Sequence, residues 1–461
     1  MIPVKRTVCK WRGHPRGGLF LLWLLCAGCG PATSSPELGR GPIPTPGRTA
    51  DRLDIYERLG FLAGDSRFAV VGRFVFVPGP GDSTYAILTL SLPNSALRFR
   101  RAAPGFVARY QVDVAVGDSA APAARLSEIQ EVRIRTFRET ARRDESVVSQ
   151  SFLTLPPGDH TAHVDVSDVA SGDGLSADLE LRVPRFDVPS ITAPIIAYRA
   201  EPRSTRELPP AFILSPRATI EFDRHERSRV YVELLSEEDR SVLLEARAAG
   251  QVVWSDTLSP EPTEGPLRSA CAALDSVRLP PGALSLHAQL AGTSIGDSTT
   301  LVVALAPDWL AADYDEALGY LRYAGTAERL EELRNAPPRE RARLLHAFWA
   351  GKDPDPETVE NEFFQGYFRR IREANARFGE PATAGWLTDR GAVYVTLGPP
   401  DEVLRDLDTR GGPERSQVWL YDESLGFEVR LVFTDPSGTG AFSLTAESRR
   451  ALAAAVETLD P

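Results

Sequence analysis

The segment Leu155-Pro156-Pro157-Gly158 recurs at Leu279-Pro280-Pro281-Gly282, one domain length further on. Each copy runs into an alternating strand, through Val166 in the first and Leu290 in the second. Each then crosses a Ser/Gly/Asp turn into a last strand, residues 177–183 and 299–305, and stops at Pro184 or Pro307. A repeat of this size means two related domains, spanning 66–186 and 190–306. The runs at 68–77, 84–92, 105–116, 131–137 and 147–155 read as strands closed by Gly, Pro, Asp or Ser. Short strands at that spacing predict β-sandwiches, Ig-like by spacing.

After Pro307 the apolar period changes to helical. Trp309, Tyr314, Leu318, Leu321, Leu330 and Leu333 predict two short helices broken near Gly325-Thr326. A third starts at Pro338, with Leu344, Leu345, Phe348 and Trp349 inward, and ends at Gly351. The rigid segment 353–358 starts a fourth helix, whose stripe of Phe364, Tyr367, Phe368, Ile371, Ala374 and Phe378 runs to the stop at Gly379. Gly385-Trp386-Leu387-Thr388-Asp389-Arg390-Gly391 follows. Asp389-Arg390-Gly391 reads as a turn, and Val393, Val395 and Leu397, alternating with Tyr394 and Thr396, as a strand. Pro399 and Pro400 end it, and Asp401 and Glu402 suit the first turn of a short helix through Leu404. Runs at 417–421, 427–434 and 441–444 predict an antiparallel meander, and 449–459 a tail helix. Together they predict an α+β domain over 307–461.

Gly385, Trp386, Thr388 and Asp389, continued by Arg390, Gly391, Gly398, Pro399, Pro400 and Asp401, resemble the signature of the GWxTD domain family of bacterial exported proteins. Trp349, Asp353, Pro354, Pro356, Thr358, Asn361, Glu362, Tyr367, Arg370, Ala374 and Phe378 extend the resemblance over about the last third of the chain. It implies export, and it implies no reaction.

The N-terminus reads as a targeting segment. Lys5, Arg6, Lys10, Arg12 and Arg16 precede a short apolar run, residues 19–25, and then Cys26-Ala27-Gly28-Cys29. The last four residues resemble a bacterial lipobox, with Cys26 where a Leu usually sits. The resemblance implies cleavage after residue 28 and lipidation of Cys29. The alternative is an ordinary secretory signal cut nearby. Gly30, rather than an Asp, favours the outer membrane by the same resemblance. Residues 29–65 then hold a Gly/Pro/Ser/Thr tether and a short helix over 50–62 with Leu53, Tyr56 and Leu59 on one face.

Loss of residues 1–28, with five basic residues and no acid, takes the net charge from −11 to −16. That balance argues against nucleic acid as a partner. Cys271 is then the one cysteine free to pair, so no intrachain disulfide, Cys-based metal site or cofactor is expected.

Candidate chemistry gathers around the signature. Glu362 and Asp389 would serve as an acid–base pair if their environments split their pKa values, and Arg370 and Arg390 could clamp a carboxylate or phosphate. The structural alternative has Glu362 and Arg370 tying helix to turn, Asp389 holding the turn and Trp386 anchoring the helix end. Asn361, Glu362, Arg370, Trp386, Thr388, Asp389, Arg390 and Asp401 are the candidate binding residues. Asp435 to Gly440 resembles the start of a calcium loop, but position 12 is Ala446 and a hairpin turn fits better. His160 and His163, three apart on a strand, fall on opposite faces and share no metal.

The expectation is a lipid-anchored envelope protein, exported and bound at the outer membrane, whose C-terminal domain binds a protein or glycan partner without turnover. The alternatives are an envelope hydrolase using Glu362 and Asp389, and a structural spacer.

Overall fold

A computed structural model describes residues 52–118, 121–142, 146–224, 228–261, 263, 265–307, 309–358, 360–380, 383–405 and 415–459. The targeting segment, Cys29 and the tether lie outside the described residues.

The chain enters through α1 (Arg52–Arg58) and β1 (Leu62–Ala63), β2 (Val71–Pro78), β3 (Thr84–Pro93), β4 (Arg100–Ala102), β5 (Gly105–Asp118) and β6 (Ala121–Ile134). A one-turn helix α2 (Phe137–Thr140) and β7 (Ser146–Leu155), β8 (Gly158–Asp168) and β9 (Gly174–Val183) complete the first unit. One sheet runs β1-β2-β3-β7 and the other β4-β5-β8-β9, with β6 on the free side of β5. Leu88 and Leu90 of the first sheet share a core with Val112 and Val164 of the second. The two sheets are thus the halves of a sandwich.

The second unit has β10 (Ser190–Ile191), β11 (Ile195–Ala200), β12 (Phe212–Leu214), β13 (Thr219–Glu221), β14 (Arg229–Leu235) and β15 (Val242–Ala248). It continues with β16 (Gln251–Leu258), β17 (Leu267–Ala273), β18 (Gly282–Leu290) and β19 (Gly296–Ala304). Its sheets run β10-β14-β11-β12, with β17 on β14, and β13-β19-β18-β15-β16. The pairing β6-β5-β8-β9 of the first unit therefore returns as β16-β15-β18-β19. The repeated Pro-Pro-Gly corner opens β8 in one and β18 in the other. Gly158 and Gly282 take φ of 139° and 119° there, which a side chain would resist.

The two sandwiches are welded. Val75, Val77, Tyr85 and Ile87, on the outer face of β2 and β3, pack on Ile195, Ala197, Leu214 and Tyr231. This explains why every residue of β3 is buried. Beside this core Arg203 bonds Glu233 through Nε at 3.0 Å and Nη2 at 2.5 Å, and donates to the carbonyls of Pro78 and Leu208 at 2.8 and 2.6 Å. Tyr231 adds a phenol at 2.6 Å from Glu233. Burial pushes the Glu233 carboxyl upward and Arg203 pulls it back, so ion and counter-ion enter the interior together.

The third unit contains α3 (Tyr314–Gly319), α4 (Ala327–Arg334), α5 (Arg341–Ala350), α6 (Glu362–Phe378) and α7 (Asp389–Leu397). They are followed by β20 (Glu402–Arg405), β21 (Arg415–Tyr421), β22 (Val429–Asp435), β23 (Ser443–Leu444) and α8 (Ala446–Leu459). The last sheet runs β20-β21-β22-β23, all antiparallel. Mostly β units followed by an α+β unit agree with the expected fold class.

Two local expectations are corrected here. Residues 393–397 are helix, not strand, and 389–391 are its first turn rather than a loop. Val393, Tyr394, Val395 and Leu397 are all buried, so no polar stripe marks the helical period, while tertiary packing overrides the β-branched preference. Residues 402–405 are the edge strand β20 rather than a helix, paired with β21 from Glu402↔Leu420 to Arg405↔Gln417.

One hydrophobic core runs from the second sandwich into the third unit. It joins Leu284, Leu286 and Leu301 to Trp309, Leu345, Tyr367 and Phe433. His346 of α5 lies 2.8 Å from Asp223 of the sandwich, and the Ala283 amide donates to Ala312 at 3.3 Å. Helix α1 joins the same core: its Tyr56 hydroxyl pairs with Thr219 at 2.7 Å. Helix α1 is therefore seated on β13 of the second sandwich, while β1 after it pairs with β2 of the first.

Candidate functional site

Helix α6 is the axis of the site. Its apolar stripe builds an aromatic cluster around Trp349, whose ring meets Phe364 at 4.8 Å, Tyr367 at 5.7 Å and Phe368 at 6.1 Å. Asn361 caps α6 by accepting from the Phe364 amide at 2.8 Å, and its Nδ2 donates to the Trp349 carbonyl at 2.8 Å. One side chain thus starts α6 and fixes the end of α5. Glu362 is exposed in the first turn and accepts from Thr358 Oγ1 at 2.8 Å.

Three turns along, residues 385–387 form a 3-10 turn pressed on α6. A Cβ on Gly385 would stand 2.2 Å from the Ala374 carbonyl oxygen, and one on Gly391 1.8 Å from the Gly385 oxygen. Both positions therefore need glycine for close backbone approach. The Trp386 amide donates to Asn375 Oδ1 at 3.1 Å, and its buried ring meets Tyr320 and Tyr323, each at 5.9 Å. Thr388 Oγ1 accepts from the Gly391 amide at 3.1 Å and donates to the Gly385 carbonyl at 2.8 Å. It caps α7 and closes the 3-10 turn together.

Asp389 reaches across to the sheet. Its Oδ2 accepts from the Leu444 amide at 2.6 Å and lies 3.4 Å from Arg449 of α8. Arg390 donates to the Gly440 carbonyl at 3.1 Å and lies over Phe442 at 4.3 Å and Phe378 at 5.4 Å. Burial lowers its pKa, and Glu380 and Asp435 oppose that. Asp401 accepts from the amides of Asp422 at 2.7 Å and Ser424 at 3.2 Å, which hold its carboxyl below the usual range. Arg370, on the same helix as Glu362, lies over Phe363 at 5.9 Å, and burial lowers its pKa.

The structure thus gathers Trp386, Thr388, Asp389 and Arg390 in one place; Asn361 and Glu362 stay at the start of α6, Arg370 lies over Phe363 and Asp401 sits elsewhere. Gly385 packs on Ala374, so Asp389 and Glu362 are separated by roughly 18 Å of helix rise. Asp401 serves a different turn. Sequence reasoning missed Asn375, Arg322 and Tyr323, which meet the signature from other segments. Arg322 lies over Trp386 at 5.5 Å. Its place between two short helices gave no sign of that contact.

The other sequence candidates resolve simply. His163 sits between Asp178 at 2.7 Å and Asp165 at 2.9 Å, which raise its pKa, the Asp178 hydrogen bond foremost. Asp435 holds its own turn, accepting from the Gly440 amide at 2.7 Å and Ser437 at 2.9 Å. Among the described residues no group of three or more His, Cys, Asp or Glu could hold a metal.

No curated protein matches the chain. The family model of the GWxTD domain matches residues 300–448, from the last strand of the second sandwich into α8. Those residues of this chain are a GWxTD domain.

Proposed function

We propose that the chain is a lipid-anchored envelope protein whose GWxTD domain binds a partner during assembly at the cell envelope, without turnover. The observation that carries this reading is the use made of the signature carboxylate. Asp389 is spent on the Leu444 amide and Arg449, and Glu362 lies three turns away. The pair that a hydrolase would need does not converge.

The pure spacer reading is disfavoured by α1. A linear spacer would place the sandwiches between anchor and domain, whereas α1, the first described element, packs on β13 of the second sandwich, whose core continues into the GWxTD domain.

Crosslinking capture from native envelopes tests this, with the full-length anchored chain and a soluble Cys29→Ser chain as competitor. A discrete partner displaced by the competitor is the expected result. No displaceable partner, with envelope ester, amide or glycoside turnover that Glu362→Gln abolishes, would overturn it in favour of the hydrolase.

A further inference from the structure

We propose that Arg322 and Arg370 form an oxyanion receptor beside Trp386 and Phe363, taking a carboxylate or phosphate group from the partner. The inference rests on the binding reading above and names the chemistry of that contact.

Three exposed arginines on α4 and α5 are paired with acids one turn away. Arg329 meets Glu332 at 2.5 Å, Arg334 meets Glu331 at 2.6 Å and Arg343 meets Glu340 at 2.7 Å. Arg322 and Arg370 are more buried than these, yet neither has a carboxylate partner among the described residues. Arg322 stacks on Trp386 at 5.5 Å and Tyr323 at 5.9 Å, and Arg370 on Phe363 at 5.9 Å. Both Nε atoms are sealed from solvent without a hydrogen-bond partner. The terminal nitrogens of Arg370 are not sealed. Arg322 lies beside the Tyr323 hydroxyl as well as over Trp386.

The two charges belong to one place. Tyr323, next to Arg322, donates its amide at 3.3 Å to the hydroxyl of buried Tyr367, which lies one turn before Arg370 on α6. That hydroxyl is itself committed to the Tyr320 carbonyl at 2.7 Å and cannot serve as counter-ion. Glu373, one turn beyond Arg370, accepts from the Tyr394 hydroxyl.

Two guanidiniums held near one another by aromatic faces, in a strongly acidic chain, are costly unless an anion joins them. Planar forks stacked on rings are pre-organised for the paired oxygens of a carboxylate or phosphate. Trp386 thereby gains a second role, as the surface that positions Arg322.

The test is thermal unfolding of the full-length chain in inorganic phosphate, succinate or chloride at equal ionic strength. Arg322→Gln, Arg370→Gln and Arg370→Lys are compared with Arg369→Gln, a change at an exposed neighbour. The reading is each chain's anion-dependent shift above its own chloride baseline. Saturable stabilisation by phosphate, by succinate or by both is expected, and identifies the source. Arg322→Gln and Arg370→Gln should raise the half-saturating concentration at least about tenfold, Arg370→Lys less, and Arg369→Gln not at all. Equal shifts in all three salts, or an equal loss in Arg369→Gln, would overturn the receptor. If anion binding is absent but a displaceable partner is still captured, the receptor fails and the binding reading stands. If anions bind but no partner is captured, the binding reading fails alone.

Discussion

Thr388 joins two elements with one hydroxyl, donating to the Gly385 carbonyl and accepting from the Gly391 amide. Its replacement tests the cap in isolation. Thr388→Ala should cost about 1 kcal/mol, and Thr388→Ser should recover most of it, read by denaturant unfolding. The glycines beside it have no such tolerance. Gly391→Ala places a methyl 1.8 Å from the Gly385 backbone oxygen, so α7 must leave the 385–387 turn. A loss of about 3 kcal/mol or more is expected, with quenching changes at Trp386. These roles were half legible. Thr before a helix and glycine at a tight approach follow from residue type. Asn375 and Arg322 were not legible, because each meets Trp386 from a different segment and no local pattern encodes that meeting.

Helix α6 is the element the sequence states most clearly. Its Asn cap, apolar stripe and Gly379 stop all lie within one segment. Helix α7 is the reverse case. Its cap Thr388 and its stop Gly398 were present as signals, but burial on nearly every side erased the polar face that separates period 3.6 from period two. Strand β20 follows the prolines and was read as helix from its acids. Its identity depends on pairing with β21, a long-range contact. The Asp401 carboxylate that leads into β20 also gives a pH prediction. The Asp422 and Ser424 amides hold its folded pKa below the ordinary aspartate range. Its contribution is therefore present above pH ~4 and is lost as pH falls through the depressed folded value. Asp401→Asn should flatten that acid limb of the stability profile by lowering stability at neutral pH toward its acid value, with little change below the folded pKa.

At the scale of the molecule, the repeat predicts two related domains, and one sheet of each unit pairs four strands in the same order, β6-β5-β8-β9 and β16-β15-β18-β19. What the repeat could not reveal is the weld between them, since Arg203 and Glu233 come from different runs and meet only in the folded chain. Arg203→Ala should destabilise by about 3–5 kcal/mol by stranding Glu233, whereas Arg203→Met with Glu233→Leu should cost far less, measured by chemical denaturation. The continuous core from the second sandwich to the GWxTD domain predicts that these two unfold in one transition by calorimetry.

The central claim is that the signature carboxylates serve as hydrogen-bond acceptors and not as reacting groups. The chain carrying Glu362→Gln and Asp389→Asn keeps an acceptor for Thr358 and for the Leu444 amide and removes both charges. The decisive measurement is envelope partner capture with this chain, beside its unfolding curve. The account predicts capture equal to wild type and a stability loss of no more than about 1 kcal/mol, from the exposed Arg449 pair. Loss of capture or of any envelope turnover, with the unfolding curve unmoved, would contradict it.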